Sequence, residues 1–346
     1  MNILFLARRF YPDVGGVEKH VLEISKHLAS QGHKITIITQ SQNNNKKELS
    51  ARNIKVVRIS KHARRNDKLF IWKWFWKNRN LLQAADIIHC HDVFYWYLPF
   101  RFLYPQKPVF TTFHGYESYP IKKKAILVRK ISETLSFGNI CIGDFIKKWY
   151  YTNPTIVSYG AVDSSKFNTS TSLSARVHNS KINKESAVFF GRLDEQTGVE
   201  TYVNAIEILK KKYPSFEMLV VGDGKYKKRI EKKVKVIDFQ NNIEKYLQKY
   251  HFAFVSRYLS ILEAFAAKRL VFAVYDNPVK EDYLRMTPFA KFLILAKNET
   301  ELANKIEFIL SHPQREQAMI THAYQWVQKQ TWEQVTNLYL QLWKKR

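Results

Sequence analysis

Short apolar runs recur along the chain, each closed by a polar or glycine-bearing turn. In the first half they fall at residues 2–7, 34–39, 54–59, 86–91, 109–113, 139–143 and 155–157. In the second half they fall at 187–190, 218–222, 252–255 and 270–274. These runs are continuously apolar rather than alternating, which predicts strands of a parallel sheet covered on both faces. Helical spacing fills the intervals. Val17, Val21, Leu22, Ile24 and Leu28 mark a helix over 17–30, stopped by Gln31-Gly32. Val203, Ile206 and Leu209 mark one over 199–212. Trp332, Val335, Leu338, Tyr339, Leu342 and Trp343 line one face of a terminal helix. Strands alternating with helices predict an α/β, doubly wound architecture. At 346 residues the chain suits two domains of about 150 residues. A Ser-, Thr-, Asn- and Lys-rich stretch separates them. The expected organisation is a first domain 1–167, a linker 168–184, a second domain 185–325 and a terminal segment 326–346.

Ligands of such sheets bind at the carboxyl ends of the strands, so the turns there carry the candidate chemistry. Asp13-Val14-Gly15-Gly16 follows the first strand, but without a full G-x-G-x-x-G, so dinucleotide binding is not supported. His114-Gly115 closes a strand and puts an imidazole at the sheet edge. His89 and His91 read instead as satisfied structural histidines, and no spacing makes a metal site. The stretch 252–284 reads as strand, short turn, helix opening near Ser260, and strand. Ser260 and Glu263 then fit two readings that stay open: an anion-attracting helix start, or a capping box. Residues 277–283 read as a loop beside the same edge.

Four ordered segments resemble the family 4-type retaining glycosyltransferases of GT-B fold. They are "PDVGGVEKHVLEISKHLASQGHKITIIT", "TTFHG", "SYGAVDSSKF" and "FFGRLDEQTGVETYVNAIEIL", followed by the "VGDG" turn and an "LEA" helix at Glu263. The resemblance implies two Rossmann-like domains facing a cleft, with the terminal helix crossing back to the first. It implies transfer of a sugar, of hexosyl type and with retention, from a nucleoside diphosphate sugar to a glycan or lipid-linked acceptor. UDP- or GDP-sugars are the donors it brings to mind, with no metal and no other cofactor. Gly16 would admit the phosphates, and His114 would contact the sugar near the reacting centre. Gly191, Arg192 and Gly222 would serve the donor, with Arg192 neutralising the diphosphate. Ser260 and Ile261 would offer backbone N–H groups to the β-phosphate, and Glu263 would hold the ribose. Two positions depart from the pattern. Thr197 replaces the lysine that accompanies Arg192, and the "EGFG" turn is missing, so Val255 stands eight residues before Glu263 in the E-x7-E motif. Lys280, in the 277–283 stretch, is one candidate to replace the missing lysine, though not the favoured reading.

Charge narrows the setting. Lys and Arg number 56 against 30 Asp and Glu, a net +26, so the protein is drawn to polyanions. No helix-turn-helix, zinc-finger or RNP signature accompanies that charge, which argues against a specific nucleic-acid partner. Residues 62–80 interleave aromatic with basic side chains, and Lys122-Lys123-Lys124 with Arg129 and Lys130 form a second basic segment. Contact with an anionic membrane surface, a plain core helix and nucleic-acid binding are the readings for 62–80. The N-terminus lacks signal-peptide character and no run is long enough to span a bilayer. Cys90 and Cys141 sit in apolar runs as free thiols. The expected location is therefore cytoplasmic, peripheral on the inner face of the membrane. The rival functional readings are a catalytically degenerate GT-B partner subunit and a nucleic-acid-binding protein.

Overall fold

The computed structural model describes residues 1–40, 52–59, 68–167 and 182–344. The polar, lysine-containing stretch 41–48, which reads as a loop, part of the aromatic segment (62–67) and most of the linker (168–181) lie outside the described residues. The chain divides into two units. The first holds Met1–Gly160 together with the segment from Trp332 on, and the second holds Ala161–Thr331. The division therefore falls at Gly160, and the 3-10 turn Ser164–Phe167 counts with the second unit.

The first unit is built on a seven-stranded sheet of order β3-β2-β1-β4-β5-β6-β7. Its strands are β1 (Asn2–Ala7), β2 (Lys34–Thr39), β3 (Ile54–Arg58), β4 (Ile87–His91), β5 (Val109–His114), β6 (Asn139–Ile142) and β7 (Ile156–Ser158). All its pairings are parallel. β4 is buried along its whole length and β1 from its second residue, which explains their uninterrupted apolar runs. Helix Gly16–Ser30 turns Val21, Ile24 and Leu28 inward. Gly32, at φ +85, ends it in the left-handed conformation that glycine adopts without strain. Helix Trp332–Lys344 buries Trp332, Val335, Tyr339, Leu342 and Trp343, and packs on helix Gly16–Ser30 and on β7.

The second unit holds a six-stranded sheet of order β10-β9-β8-β11-β12-β13, again wholly parallel. Its strands are β8 (Ser186–Phe190), β9 (Glu217–Val221), β10 (Lys235–Ile237), β11 (Phe252–Phe254), β12 (Leu270–Val274) and β13 (Leu293–Ala296). Helix Val199–Leu209 ends three residues short of the expected 199–212, because Lys210 to Lys212 have no apolar face to bury. Its Tyr202 stacks on Phe254 with ring centroids 5.1 Å apart. The Tyr202 hydroxyl donates to the Phe272 carbonyl and accepts the Val274 N–H, both at 3.1 Å, so this buried phenol is fully satisfied. Each large aromatic enclosed this way contributes about 1.5–3 kcal/mol through the apolar area it hides.

Two expected elements differ. Helix Tyr258–Ala266 begins two residues before Ser260, with Arg257 at the N-cap position but making no side-chain capping bond. The cause is tertiary: the Tyr283 hydroxyl accepts the Tyr258 N–H at 3.0 Å, completing a first turn that no local residue caps. The Ser260–Glu263 capping box therefore does not form. Residues 277–283 are not a loop but the start of helix Pro278–Arg285. Asn277 caps it by accepting the Lys280 N–H at 2.9 Å, and Pro278 takes the first position, where a missing N–H costs nothing.

Candidate functional site

The strand order makes a switch point between β8 and β11. The chain leaves β8 toward β9 on one side, and leaves β11 toward β12 on the other. The two departing loops part there and leave room for a ligand. The loop after β8 carries Gly191 and Arg192, and the loop after β11 carries Val255, Ser256 and Arg257. Arg192 is about half exposed, with its Nε 3.4 Å from Asp194 Oδ2 and its Nη2 donating to Gln196 Oε1 at 3.2 Å. Arg257 donates from Nη2 to that same Gln196 oxygen. No motif singled Arg257 out. Its signal was only its place, two residues past an apolar strand.

The structure sorts the other expected residues of this unit. Glu263 lies in the second turn of helix Tyr258–Ala266, half-buried. Ser260 sits in the first turn, also half-buried. The Ile261 side chain is buried and its N–H is spent on the Arg257 carbonyl at 2.9 Å, so it is not open to a phosphate. The backbone donors of the first turn are instead those of Leu259 and Ser260. Gly191 and Gly222 press their backbones together, Gly191 N–H donating to Val221 O at 3.1 Å and Gly222 N–H to Ile237 O at 3.0 Å. Thr197 is buried where the family's lysine stands. Its hydroxyl is 2.8 Å from both the Arg192 and the Asp194 carbonyls and ties that loop shut. Val255 is buried, its N–H bonded to Phe272 O at 3.2 Å, so no acidic group stands there. Lys280 is buried behind the arginines, with Nζ donating to the Ser256 carbonyl. Its ammonium lies 4.5 Å from the Tyr283 ring centroid.

The first unit has its own switch point, between β1 and β4. Gly15 is extended and Gly16 opens helix Gly16–Ser30, exposed at the carboxyl end of β1. Asp92 follows β4 at φ +58, a left-handed conformation that aspartate tolerates better than most residues. That turn brings its carboxylate back onto the His114 N–H, at 3.0 and 3.2 Å from the two oxygens. Desolvation pushes Asp92 up to about 7, against the pull of Arg129 and the His114 N–H; its open surface to water also opposes that push. Arg129, expected on a basic surface, is instead buried beneath this edge. It donates to Gly115 O at 2.8 Å and to Glu117 at 3.0 Å, and stacks 3.7 Å from the Tyr150 ring centroid.

His114 ends β5 and belongs to a chain of imidazoles running into the core. Trp343 Nε1–H only donates, and it reaches His89 Nδ1 at 3.1 Å. His89 must therefore carry its proton on Nε2 and donate to Thr112 Oγ1, 2.7 Å away. Thr112 then donates to the Tyr339 oxygen at 2.9 Å, and Tyr339 to His20 Nε2 at 2.9 Å. One tryptophan donor thus fixes the tautomers of two histidines. His91 Nδ1 meets His114 Nε2 at 3.0 Å, while His91 Nε2 is buried with no partner. A bare acceptor nitrogen is less costly there than a stranded N–H. His91 therefore donates, and His114 keeps its proton on Nδ1. Burial holds all four imidazoles well below their usual range, His20 down to about 3, with the other histidines adding repulsion at His89, His91 and His114. His114 is thus a neutral imidazole whose Nδ1 carries the proton. Among the described residues no group of three His, Cys, Asp or Glu side chains is arranged to hold a metal ion.

The Glycosyltransferase Family 4 model matches residues 14–150, and the Glycosyl transferases group 1 model matches 172–326. The phosphatidylinositol N-acetylglucosaminyltransferase GPI3 subunit of Saccharomyces cerevisiae is 26% identical over 269 residues, covering 72% of this chain and 57% of that protein's own length. Among solved structures, Anabaena Alr3699/HepE in complex with UDP and glucose superposes at a TM-score of 0.78. It shows 16% identity, over all of both chains. A glycosyltransferase from Rickettsia africae ESF-5 superposes at 0.75 with 18% identity, over 99% of this chain and 98% of that one.

Proposed function

Because the chain belongs to the Glycosyltransferase Family 4 and Glycosyl transferases group 1 families, we propose that it transfers a sugar from a nucleoside diphosphate donor to an acceptor hydroxyl, with retention at the anomeric carbon. The observation that carries this reading is Arg192, half exposed at the switch point of the second sheet. As the acceptor oxygen bonds to the anomeric carbon and the sugar–phosphate bond breaks, negative charge gathers on the departing diphosphate, whose oxygen takes up the acceptor hydroxyl's proton. A fixed guanidinium there stabilises that charge more in the transition state than in the ground state. Glu263, in the second turn of helix Tyr258–Ala266, would hold the ribose hydroxyls, and neutral His114, in the first unit, offers an Nδ1–H donor suited to a sugar hydroxyl. The names of the yeast and Anabaena proteins support a lipid-linked acceptor and a uridine nucleotide.

The test is a thermal-shift panel of UDP, GDP, ADP and CMP against wild type and Glu263→Gln. A ligand at about a hundred times its Kd adds ~2.7 kcal/mol to the native state, a shift of several degrees. One nucleotide should stabilise wild type, and Glu263→Gln should lose most of that shift. Silence from all four in a folded sample would favour the partner-subunit reading, which the buried Val255 and Thr197 support.

We also propose contact with an anionic membrane surface. Among the described residues no helix is long and apolar enough to cross a membrane. Helix Lys68–Lys77 buries Ile71 and Phe75 but leaves Leu69 and Trp76 exposed beside its lysines, and Leu127 and Ile131 are exposed on helix Lys123–Thr134. Such side chains enter the headgroup layer while the lysines meet its charge. Leu69→Glu with Trp76→Glu should abolish co-sedimentation with phosphatidylserine vesicles. Undiminished sedimentation would rule this surface out.

A further inference from the structure

Arg192 and Arg257 reach one oxygen of one neutral amide, Gln196 Oε1, from the two loops that flank the switch point. Two guanidinium groups present full charges and paired donors, and an amide oxygen returns only part of a charge. An anion with several oxygens matches that convergence better than Gln196 does. The turn that carries Arg257 is anchored from behind. Lys280, 2% exposed, donates to the carbonyl of Ser256, the residue before Arg257. The Ser256 hydroxyl donates to Thr197 O at 2.9 Å, tying this turn to the Arg192 loop. A buried lysine bonded to a backbone carbonyl rather than to a carboxylate is costly to keep. Burial, then Arg257 and Arg192, drives Lys280 toward its neutral form, with Asp276 and Asp194 acting in the opposite sense.

We propose that Arg257 and Arg192 close as a pair of guanidinium groups on the diphosphate of the sugar donor, displacing Gln196, and that Lys280 is the positioning residue that holds the Arg257 turn. This rests on the donor reading above. The pair meets the anion's oxygens with two forks, and the first-turn N–H groups of Leu259 and Ser260 lie next to Arg257 in the chain. The groups facing Lys280 are the Ser256 carbonyl, Tyr283, Arg257, Arg192, Asp194 and Asp276. An arriving anion makes their summed field more negative, so Lys280 takes up a proton as the diphosphate binds.

The experiment is calorimetric titration of the full chain with inorganic pyrophosphate, which needs no knowledge of the nucleoside. Wild type should bind. Arg257→Gln and Arg192→Gln should each weaken binding by about tenfold or more, the value of a lost charge-assisted hydrogen bond. Arg257→Lys, which keeps the charge but not the fork, should fall between, and circular dichroism checks that each variant folds. As the pH falls from the alkaline side, wild-type binding should strengthen more than that of Lys280→Met, titration of the ligand being common to both. Arg257→Gln binding within about twofold of wild type would overturn the clamp, as would a folded wild type that ignores pyrophosphate. Equal pH slopes for wild type and Lys280→Met would overturn the proton uptake, and Lys280→Met binding within about twofold of wild type would overturn the positioning role. Pyrophosphate held through Arg257 while no nucleoside diphosphate shifts the melting temperature would uphold the clamp and sink the donor reading.

Discussion

A single methyl group at Gly222 should destabilise the second unit by about 3–5 kcal/mol, a large share of the 5–15 kcal/mol that holds a typical domain together. A Cβ there would fall on the carbonyl oxygen of Gly191, with the carbonyl carbon at 3.2 Å and Leu193 Cδ2 at 3.3 Å. The first two are backbone atoms and have no rotamer to escape into. Relief requires the loops after β8 and β9 to separate. Gly191 N–H to Val221 O at 3.1 Å, Leu193 N–H to Asp223 O at 2.9 Å and Tyr226 N–H to Leu193 O at 3.1 Å stitch those loops together. Breaking the stitches strands buried backbone groups, and Arg192 lies between two of the displaced residues. Gly222→Ala should therefore lower the urea midpoint sharply and erase any nucleotide-induced thermal shift. Gly32→Ala is the contrast. Its φ of +85 imposes strain but no atom lies within 4 Å of the added carbon, so its cost should be only about 1 kcal/mol. A midpoint for Gly222→Ala as mild as that of Gly32→Ala would refute the clash.

Gly222 also shows what a sequence makes visible and what it hides. The "VGDG" turn after an apolar run is plain to read, and so are the strands β1, β2 and β12, whose apolar runs coincide with the strands. A ligand role for Gly222 followed from the resemblance, whereas the backbone contact with Gly191 depends on β8 and β9 being neighbours. The start of helix Tyr258–Ala266 was hidden for a similar reason: its N–H acceptor is a hydroxyl 25 residues away. Helix Pro278–Arg285 was not hidden. Asn277-Pro278 is a cap followed by proline at the first helical position, a signal present in the sequence and outweighed by the expectation of a loop. Arg257 falls in no motif, because the turn that carries it lacks the family's "EGFG" and a lone arginine after a strand has no signature of its own. The histidine chain is the least legible feature. His20, His89, His91 and His114 come from a helix and two strands, and Tyr339 and Trp343 from the end of the chain. Only the strand order and the docking of the terminal helix bring them together.

Acid should dismantle the first unit through these histidines. In the native state they are neutral, because burial penalises the imidazolium, and His20 is held down to about 3. Unfolded, each titrates near 6.5. Between the two values the unfolded chain binds protons that the native state refuses, so unfolding gains free energy as the pH falls. The loss begins as the pH drops through about 6.5 and grows down toward the native values. At about pH 5, His20 alone accounts for about 2 kcal/mol. His114, which keeps some surface, contributes less. Protonation would also break the donor order that Trp343 imposes. His89 Nδ1 and His20 Nε2 both accept hydrogen bonds in the native chain and cannot do so once protonated. Melting followed from about pH 7.5 to pH 5 should therefore show a steep decline in the transition that reports the first unit. Trp343→Phe should weaken that decline, because it frees His89 Nδ1 to take a proton without losing a donor. A melting temperature flat across this window would mean that the buried imidazoles already carry charge, and the tautomer order running from Trp343 to His20 would fall with it.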